Sequence, residues 1–277
     1  MPELPEVECL TRAVRRVLKG GRMVDATFFR KDLRDPIPIK AFRNLLVGEQ
    51  VCDVFRRSKY MLFETRKGFA IFHLGMTGNM ILKTGGDPEV PHTHAVFQIE
   101  QKSGKVGYLH FIDPRRFGRI ACIEGGAYEQ HAFFEHLGPE PLETADLGHH
   151  LFVESRRKKL PIKSFIMDAR RVVGVGNIYA SESLFRAGIN PKRQAGTVTL
   201  PRYTALALAI QETLKASIKA GGTTFRDFKN SDGNPGYFAV SLAVYGRTGE
   251  PCETCSLPIR QVKQSGRSTF FCAACQS

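Results

Sequence analysis

Apolar residues recur at helical spacing over residues 6–18, where Val7, Leu10, Val14, Val17 and Leu18 share one face. Pro5 stands at a first-turn position and Glu6 and Glu8 lie beside the positive end, so the pattern predicts an amphipathic helix packed on a sheet. From about residue 22 to 123 the period shortens to β-rich runs: Val51–Phe55, Tyr60–Glu64, Phe69–Leu74, Asn79–Leu82, Ala95–Ile99, Val106–Phe111 and Gly118–Ile123. Gly, Pro and Asp turns punctuate these runs, a spacing that predicts a β-sandwich or barrel. A Pro- and acid-rich stretch from Gly138 to Asp146 then gives way to helical patterning, with helices expected over Ile178–Phe185 and Thr204–Lys219. The second places Leu206, Ile210, Leu214 and Ile218 on one face. Past residue 220 the chain is rich in loop residues before a cysteine-bearing tail. The expected class is α+β in two domains, with an N-terminal β-sandwich flanked by helices and a helical C-terminal part carrying a β-hairpin. The expected division is a sandwich domain over 1–137, a linker over 138–148, a helical domain over 149–240 and a cysteine-bearing unit over 241–277.

At 277 residues the chain has room for two cores, and no apolar run approaches the roughly 18 residues that span a bilayer. The start, Met1-Pro-Glu-Leu-Pro-Glu6, has neither a basic nor an apolar leader region, so a cytoplasmic protein is expected. Formal net charge is +13, which favours polyanionic partners. The charge is uneven: residues 1–150 carry 21 Lys and Arg against 19 Asp and Glu, whereas residues 151–277 carry 19 against 8. A solvated basic surface accounts for any one cluster, such as Arg156-Arg-Lys-Lys159, but poorly for the asymmetry. The second half is the expected electrostatic footprint.

Four of the seven cysteines fall in the tail as Cys252-x2-Cys255-x16-Cys272-x2-Cys275. Each x2 pair brings two thiolates to one tetrahedral ion, and the intervening length suits a hairpin, so one structural Zn2+ is expected; iron is the other metal four thiolates favour. A disulfide pair is the alternative, disfavoured in an intracellular chain. Cys9, Cys52 and Cys122 lie in apolar segments and are expected in the core.

Gly174-Val-Gly176-Asn177 precedes a helix and offers N–H groups to a phosphate. The dinucleotide fingerprint needs glycine where Tyr179 stands, so a phosphate-gripping glycine turn between helices is the better reading, and a plain N-cap at Asn177 is compatible with it. At the N-terminus, removal of Met1 exposes the secondary amine of Pro2. Attack by that amine on a carbonyl-like carbon gives a permanently charged iminium, an electron sink for elimination, with Glu3 beside it as acid or base. Taken alone, a Met-Pro-Glu start is common and says little.

Together, Met1-Pro-Glu-Leu-Pro-Glu-Val-Glu8, His73-Leu-Gly-Met-Thr-Gly78, Asp113-Pro-Arg-Arg-Phe-Gly118, Val173-Gly-Val-Gly-Asn-Ile-Tyr-Ala-Ser-Glu182 and the four-cysteine tail resemble the bacterial formamidopyrimidine-DNA glycosylases, end to end and in order. The resemblance implies a helix-two-turn-helix unit, a zinc finger at Cys252, Cys255, Cys272 and Cys275, and a monomer acting on duplex DNA with oxidised purines or abasic sites. It implies that Pro2 is the nucleophile, that Glu3 protonates the opening sugar, and that Lys59 sits near the lesion phosphates. Glu6 is implied in catalysis, and its place at a helix start suits a structural role equally. Met76, Arg115 and Phe117 match residues that fill the gap left by the flipped nucleotide; Asn177, Arg267 and Arg116 match phosphate contacts. The segment from about Thr223 to Tyr237 matches a lesion-capping loop. Ser58, where the family often has Gly or Ala, and the Cys9-Leu10 pair depart from the usual pattern. Two other readings stay open: an endonuclease VIII-type enzyme for oxidised pyrimidines, which the Leu4-Pro5 start and the Arg115–Gly118 motif disfavour, and a non-catalytic zinc-ribbon protein that binds nucleic acid.

Overall fold

A computed structural model of the chain describes residues 2–83, 90–221 and 242–277. Met1 and the Thr223–Tyr237 segment lie outside the described residues. The chain divides into two compact units, one running to Glu135 and the other comprising His136–Ala220 and the described part of Ala239–Ser277.

The first unit opens with α1 (Leu4–Leu18), whose buried face is formed by Leu4, Val7, Leu10, Val14 and Leu18 at the spacing read from the sequence. Two antiparallel four-stranded sheets follow. One orders β1 (Arg22–Phe28), β6 (Thr93–Glu100), β7 (Val106–Ile112) and β5 (Asn79–Lys83); the other orders β2 (Asp53–Arg57), β3 (Tyr60–Thr65), β4 (Gly68–His73) and β8 (Arg119–Glu124). A single apolar cluster draws on both sheets, with Met23, Phe97 and Phe111 from one and Val54, Phe63 and Phe72 from the other, so the sheets form a sandwich. All seven expected runs are strands, with ends displaced by one or two residues. The additional strand β1 and helix α2 (Ile39–Leu46) complete the unit. Phe42 of α2 lies at the centre of the aromatic core, 5.3 Å from Phe28, 5.5 Å from Phe97 and 6.0 Å from Phe72 between ring centroids. Cys52 is exposed, contrary to the core position expected of it, because it precedes β2 with its side chain directed away from the packed face. Cys9 and Cys122 are half-buried.

The second unit packs α3 (Leu147–Ser155) and α5 (Asn177–Arg186) against the long α6 (Leu200–Lys219), with the short α4 (Ile162–Ile166) beside α5. Leu206, Ile210 and Leu214 are buried as the periodicity requires. Two fully buried tyrosines find hydroxyl partners: Tyr179 with Ser217 Oγ at 2.6 Å, and Tyr203 with the Ala195 carbonyl at 3.0 Å. The stretch 138–148, expected as a linker, is bonded into this unit: the Gly138 amide donates to the Ala169 carbonyl, and the Pro139 carbonyl accepts from Val173. Its start is therefore held to the segment before α5. The tail forms the expected hairpin, β9 (Arg260–Gln264) with β10 (Arg267–Phe271), around a tight Ser265-Gly266 turn with both residues at positive φ. Among the described residues no helix is long and apolar enough to cross a membrane.

Candidate active site and nucleic-acid interface

At the head of α1, Pro2, Glu3 and Glu6 are all buried, the two carboxylates being only 2% and 3% exposed. Carboxylates are buried only when hydrogen-bonded or put to use. Glu6 Oε2 accepts the Glu3 backbone amide at 2.8 Å, which fixes the entry into the helix just after Pro2. One turn on, Glu8 accepts from Arg56 Nε at 2.8 Å and from Arg12 Nε at 2.7 Å. Burial acts to raise the Glu8 pKa, but the Arg56 and Arg12 guanidinium groups outweigh it and hold the carboxyl below its ordinary value. Arg56 also donates to the Ser58 carbonyl at 2.9 Å, in the two-residue turn Ser58-Lys59 that joins β2 to β3. Ser58 adopts φ +56°, the left-handed conformation for which glycine is the usual residue. The turn bearing Lys59 is thus tied through Arg56 to α1, the helix that follows Pro2 and Glu3. Glu8 stands out in the sequence as a first-turn acid, but its pairing with Arg56 does not, because it spans 48 positions.

Met76 and Phe117 are exposed at 38% and 42%, the opposite of what two core apolar residues would show. They belong to two loops, 74–78 after β4 and 113–118 before β8, that meet through their backbones. Gly75, at φ +60°, lies so close to Phe117 that a Cβ there would fall 2.3 Å from the Phe117 carbonyl carbon. Arg115 and Arg116 are exposed beside them, and the Arg115 guanidinium lies over the Phe117 ring at 4.9 Å. Met76, Arg115, Arg116 and Phe117 are therefore brought together as one polar-rimmed apolar point on the first unit.

In the second unit, α5 is capped by Gly176, and Asn177 is its first helical residue rather than its cap. The Asn177 side chain is engaged within the protein: Oδ1 accepts from Lys163 Nζ at 2.6 Å, and Nδ2 donates to the Ser268 carbonyl at 3.0 Å. Lys163, only 2% exposed, also donates to Thr269 Oγ1 at 2.8 Å and to the Ser268 carbonyl at 3.0 Å. This buried ammonium couples the start of α5 to the strand that begins with the exposed Arg267. No local sequence signal marks Lys163. Asn177, Ile178 and Tyr179 form the first turn of α5. Below them, Glu182 accepts from the backbone amides of Ala243, Val244 and Tyr245 at 2.8–3.0 Å and anchors the tail.

The sulfurs of Cys252, Cys255, Cys272 and Cys275 lie within 4.8 Å of one another, with Cys252 and Cys275 at 3.9 Å and Cys255 and Cys272 at 3.4 Å. Tetrahedral zinc with Zn–S bonds of about 2.3 Å needs edges of roughly 3.8 Å, so the donor set fits the ion. The Cys275 thiol, facing Cys255 and its neighbours, is pushed up to about 12, a conflict that a divalent cation relieves. Val244, Ile259 and Phe270 pack around the sulfurs.

A sandwich with a buried Pro2 and paired carboxylates beside it, a cation-tipped pair of loops, a glycine-turn helix and a four-cysteine hairpin define a zinc-finger DNA glycosylase. Residues 1–120 match the formamidopyrimidine-DNA glycosylase N-terminal domain, residues 137–229 the formamidopyrimidine-DNA glycosylase H2TH domain, and residues 249–277 the zinc finger found in FPG and IleRS. The chain is 46% identical over 276 residues to formamidopyrimidine-DNA glycosylase of Syntrophotalea carbinolica and 48% identical over 277 residues to that of Pectobacterium atrosepticum, with 100% of each chain covered. It superposes on the MutM (Fpg) protein of Thermus thermophilus with TM-score 0.86 at 37% identity, covering 99% of this chain and 98% of that one. Against the Lactococcus lactis Fpg bound to DNA containing an abasic site, the TM-score is 0.89 at 28% identity, covering 99% of each. The chain belongs to the formamidopyrimidine-DNA glycosylase family, and its four tail cysteines hold one structural zinc.

Proposed function

We propose that this protein is a base-excision repair DNA glycosylase and apurinic/apyrimidinic lyase that removes oxidised purines, 8-oxoguanine and formamidopyrimidines, from duplex DNA. The observation that carries the reading is the buried group at the head of α1, where Glu6 fixes the Glu3 backbone beside Pro2. Once Met1 is removed, the Pro2 nitrogen bonds to C1′ of the damaged nucleotide, the glycosidic bond breaks with its electron pair on the base, and the proton the nitrogen gives up neutralises the departing base. Glu3 delivers a proton to the ring oxygen as the sugar opens, leaving an iminium at C1′. The iminium draws electrons from C2′ and drives β- and then δ-elimination of the two flanking phosphates.

The other assignments follow the same reading. Lys59 faces the lesion phosphates; Met76, Arg115 and Phe117 replace the lost stacking and bond the orphaned base; Arg116, Asn177 and Arg267 hold phosphates. The Asn177 side-chain amide also bonds Lys163 and Ser268, which fixes its place at the start of α5. The zinc ion has no open position and serves to hold the hairpin. The protein acts as a cytoplasmic monomer on the nucleoid.

The test is borohydride trapping on duplexes with 8-oxoguanine opposite cytosine or with an oxidised pyrimidine, after mass spectrometry has shown Met1 to be absent. We expect a covalent adduct on the first duplex, loss of that adduct in Pro2→Gly, and duplex affinity little changed in the variant. Preference for the pyrimidine would move the assignment to the endonuclease VIII type. No adduct on either duplex would leave a zinc-ribbon DNA-binding protein.

A further inference from the structure

Asp113 is completely buried at the end of β7, and its two carboxylate oxygens are divided between two loops. Oδ1 accepts the Thr77 hydroxyl at 2.6 Å and Oδ2 accepts the Gly118 amide at 2.7 Å. Thr77 Oγ1 in turn accepts the Arg115 amide at 3.3 Å, so one hydroxyl links the carboxylate to the backbone of the neighbouring loop. The Asp113 carbonyl accepts from the Arg116 amide at 3.1 Å and from His94 Nε2 at 2.8 Å, which seats the assembly on β6. Gly118 has no room for a side chain: a Cβ would lie 3.0 Å from Asp113 Oδ2 and 2.9 Å from the Phe111 ring. The carboxylate and hydroxyl are thus both spent on holding loop 74–78 against loop 113–118.

We propose that Asp113 and Thr77 are positioning residues that lock the two loops together, so that Met76, Arg115 and Phe117 enter the DNA stack as one preformed body. The inference rests on the proposed function and adds to it the device that sets where these three side chains stand. Two loops free to move separately would each lose conformational freedom on insertion and would compete for one gap; a shared carboxylate removes that cost before DNA arrives. Neither residue touches the reacting atoms, so their effect should depend on there being a stack to enter.

The experiment compares Thr77→Val, Thr77→Ser and Asp113→Asn with the parent protein. On duplex 8-oxoguanine opposite cytosine, kcat/KM of Thr77→Val and Asp113→Asn should fall about ten- to a hundred-fold, the scale of a small misplacement at an active site. Thr77→Ser, which keeps the hydroxyl, should recover parent activity. Trapping on a single-stranded abasic oligonucleotide, which offers no stack and no opposite base, should stay close to the parent in all three. A binding cycle needs no chemistry: on a duplex with a tetrahydrofuran abasic analogue, Met76→Ala and Phe117→Ala should be coupled by at least about two-fold beyond additivity, and additive in the Thr77→Val background. Parent-like duplex excision in Thr77→Val, failure of Thr77→Ser to recover, equal loss on single strands, or coupling that survives Thr77→Val would each overturn the proposal. If the parent protein gives no adduct at all, the glycosylase reading falls and the binding cycle still decides this one.

Discussion

His73 closes β4, and its imidazole Nδ1 accepts the Gly75 amide at 3.1 Å, directly before Met76. Burial, reinforced by the cations of Lys59, Arg119 and Arg34, pushes its pKa down to about 4. The ring is neutral at physiological pH, and its lone pair is already committed to the loop. In the unfolded chain the same residue titrates near roughly 6.5, so below that pH the unfolded state takes up a proton that the folded state refuses. This stabilisation is complete above about pH 6.5 and is lost as pH falls towards 4. Urea unfolding from pH 7.5 to 4.5 should therefore show the stability gap between the parent and His73→Phe narrowing as the solution is acidified. Parallel curves would mean that His73 does not titrate in that window.

At the scale of elements, the zinc hairpin shows how little a short element owns. Its two strands are five residues each, β9 is mostly exposed, and its buried apolar content is limited to Val244, Ile259, Phe270 and Phe271 near the cysteines. Such a unit depends on its metal. Stripping zinc with a chelator, or Cys272→Ser, should make residues 249–277 rapidly cleavable by protease and weaken duplex binding; an intact, protected hairpin after metal loss would refute the structural role. The cysteine spacing announced this element because metal ligands on x2 turns have few other uses. Helix α2 was not read from the sequence, although Phe42, Leu45 and Leu46 fall at spacings of three and four, because its eight residues directly follow Pro36 and Pro38 in a stretch otherwise patterned as strands and turns. The seven β runs were legible because the alternation is local. The distant partners of Glu8, Asp113 and Lys163, namely Arg56, Thr77 and Thr269, were not, because each is chosen by topology across 36 to 106 positions. Thr77 and Asp113 lay inside quoted motifs, yet nothing in either motif says that one bonds the other.

Over the whole molecule the charge asymmetry sets how the protein meets DNA. The positive excess sits overwhelmingly in residues 151–277, while the first 150 residues are nearly balanced. Affinity for undamaged duplex should be dominated by counterion release, falling about 10³-fold or more between 50 and 200 mM salt if six or more phosphates are engaged. Arg267→Ala should lower the slope of log affinity against log salt by about one, whatever the sequence of the duplex. A flat salt response, measured by fluorescence anisotropy, would contradict phosphate-led binding.

Glu182 bears on how the cysteine-bearing tail is mounted. Its carboxylate grips three consecutive backbone amides at 243–245, and on the other side α6 is secured through Ser217 to Tyr179. Helix α5 thus carries, on one short element, both the tie to α6 and the tie to the backbone that leads into the metal-binding cysteines. Damage to this helix would be felt at the metal without any ligand having changed.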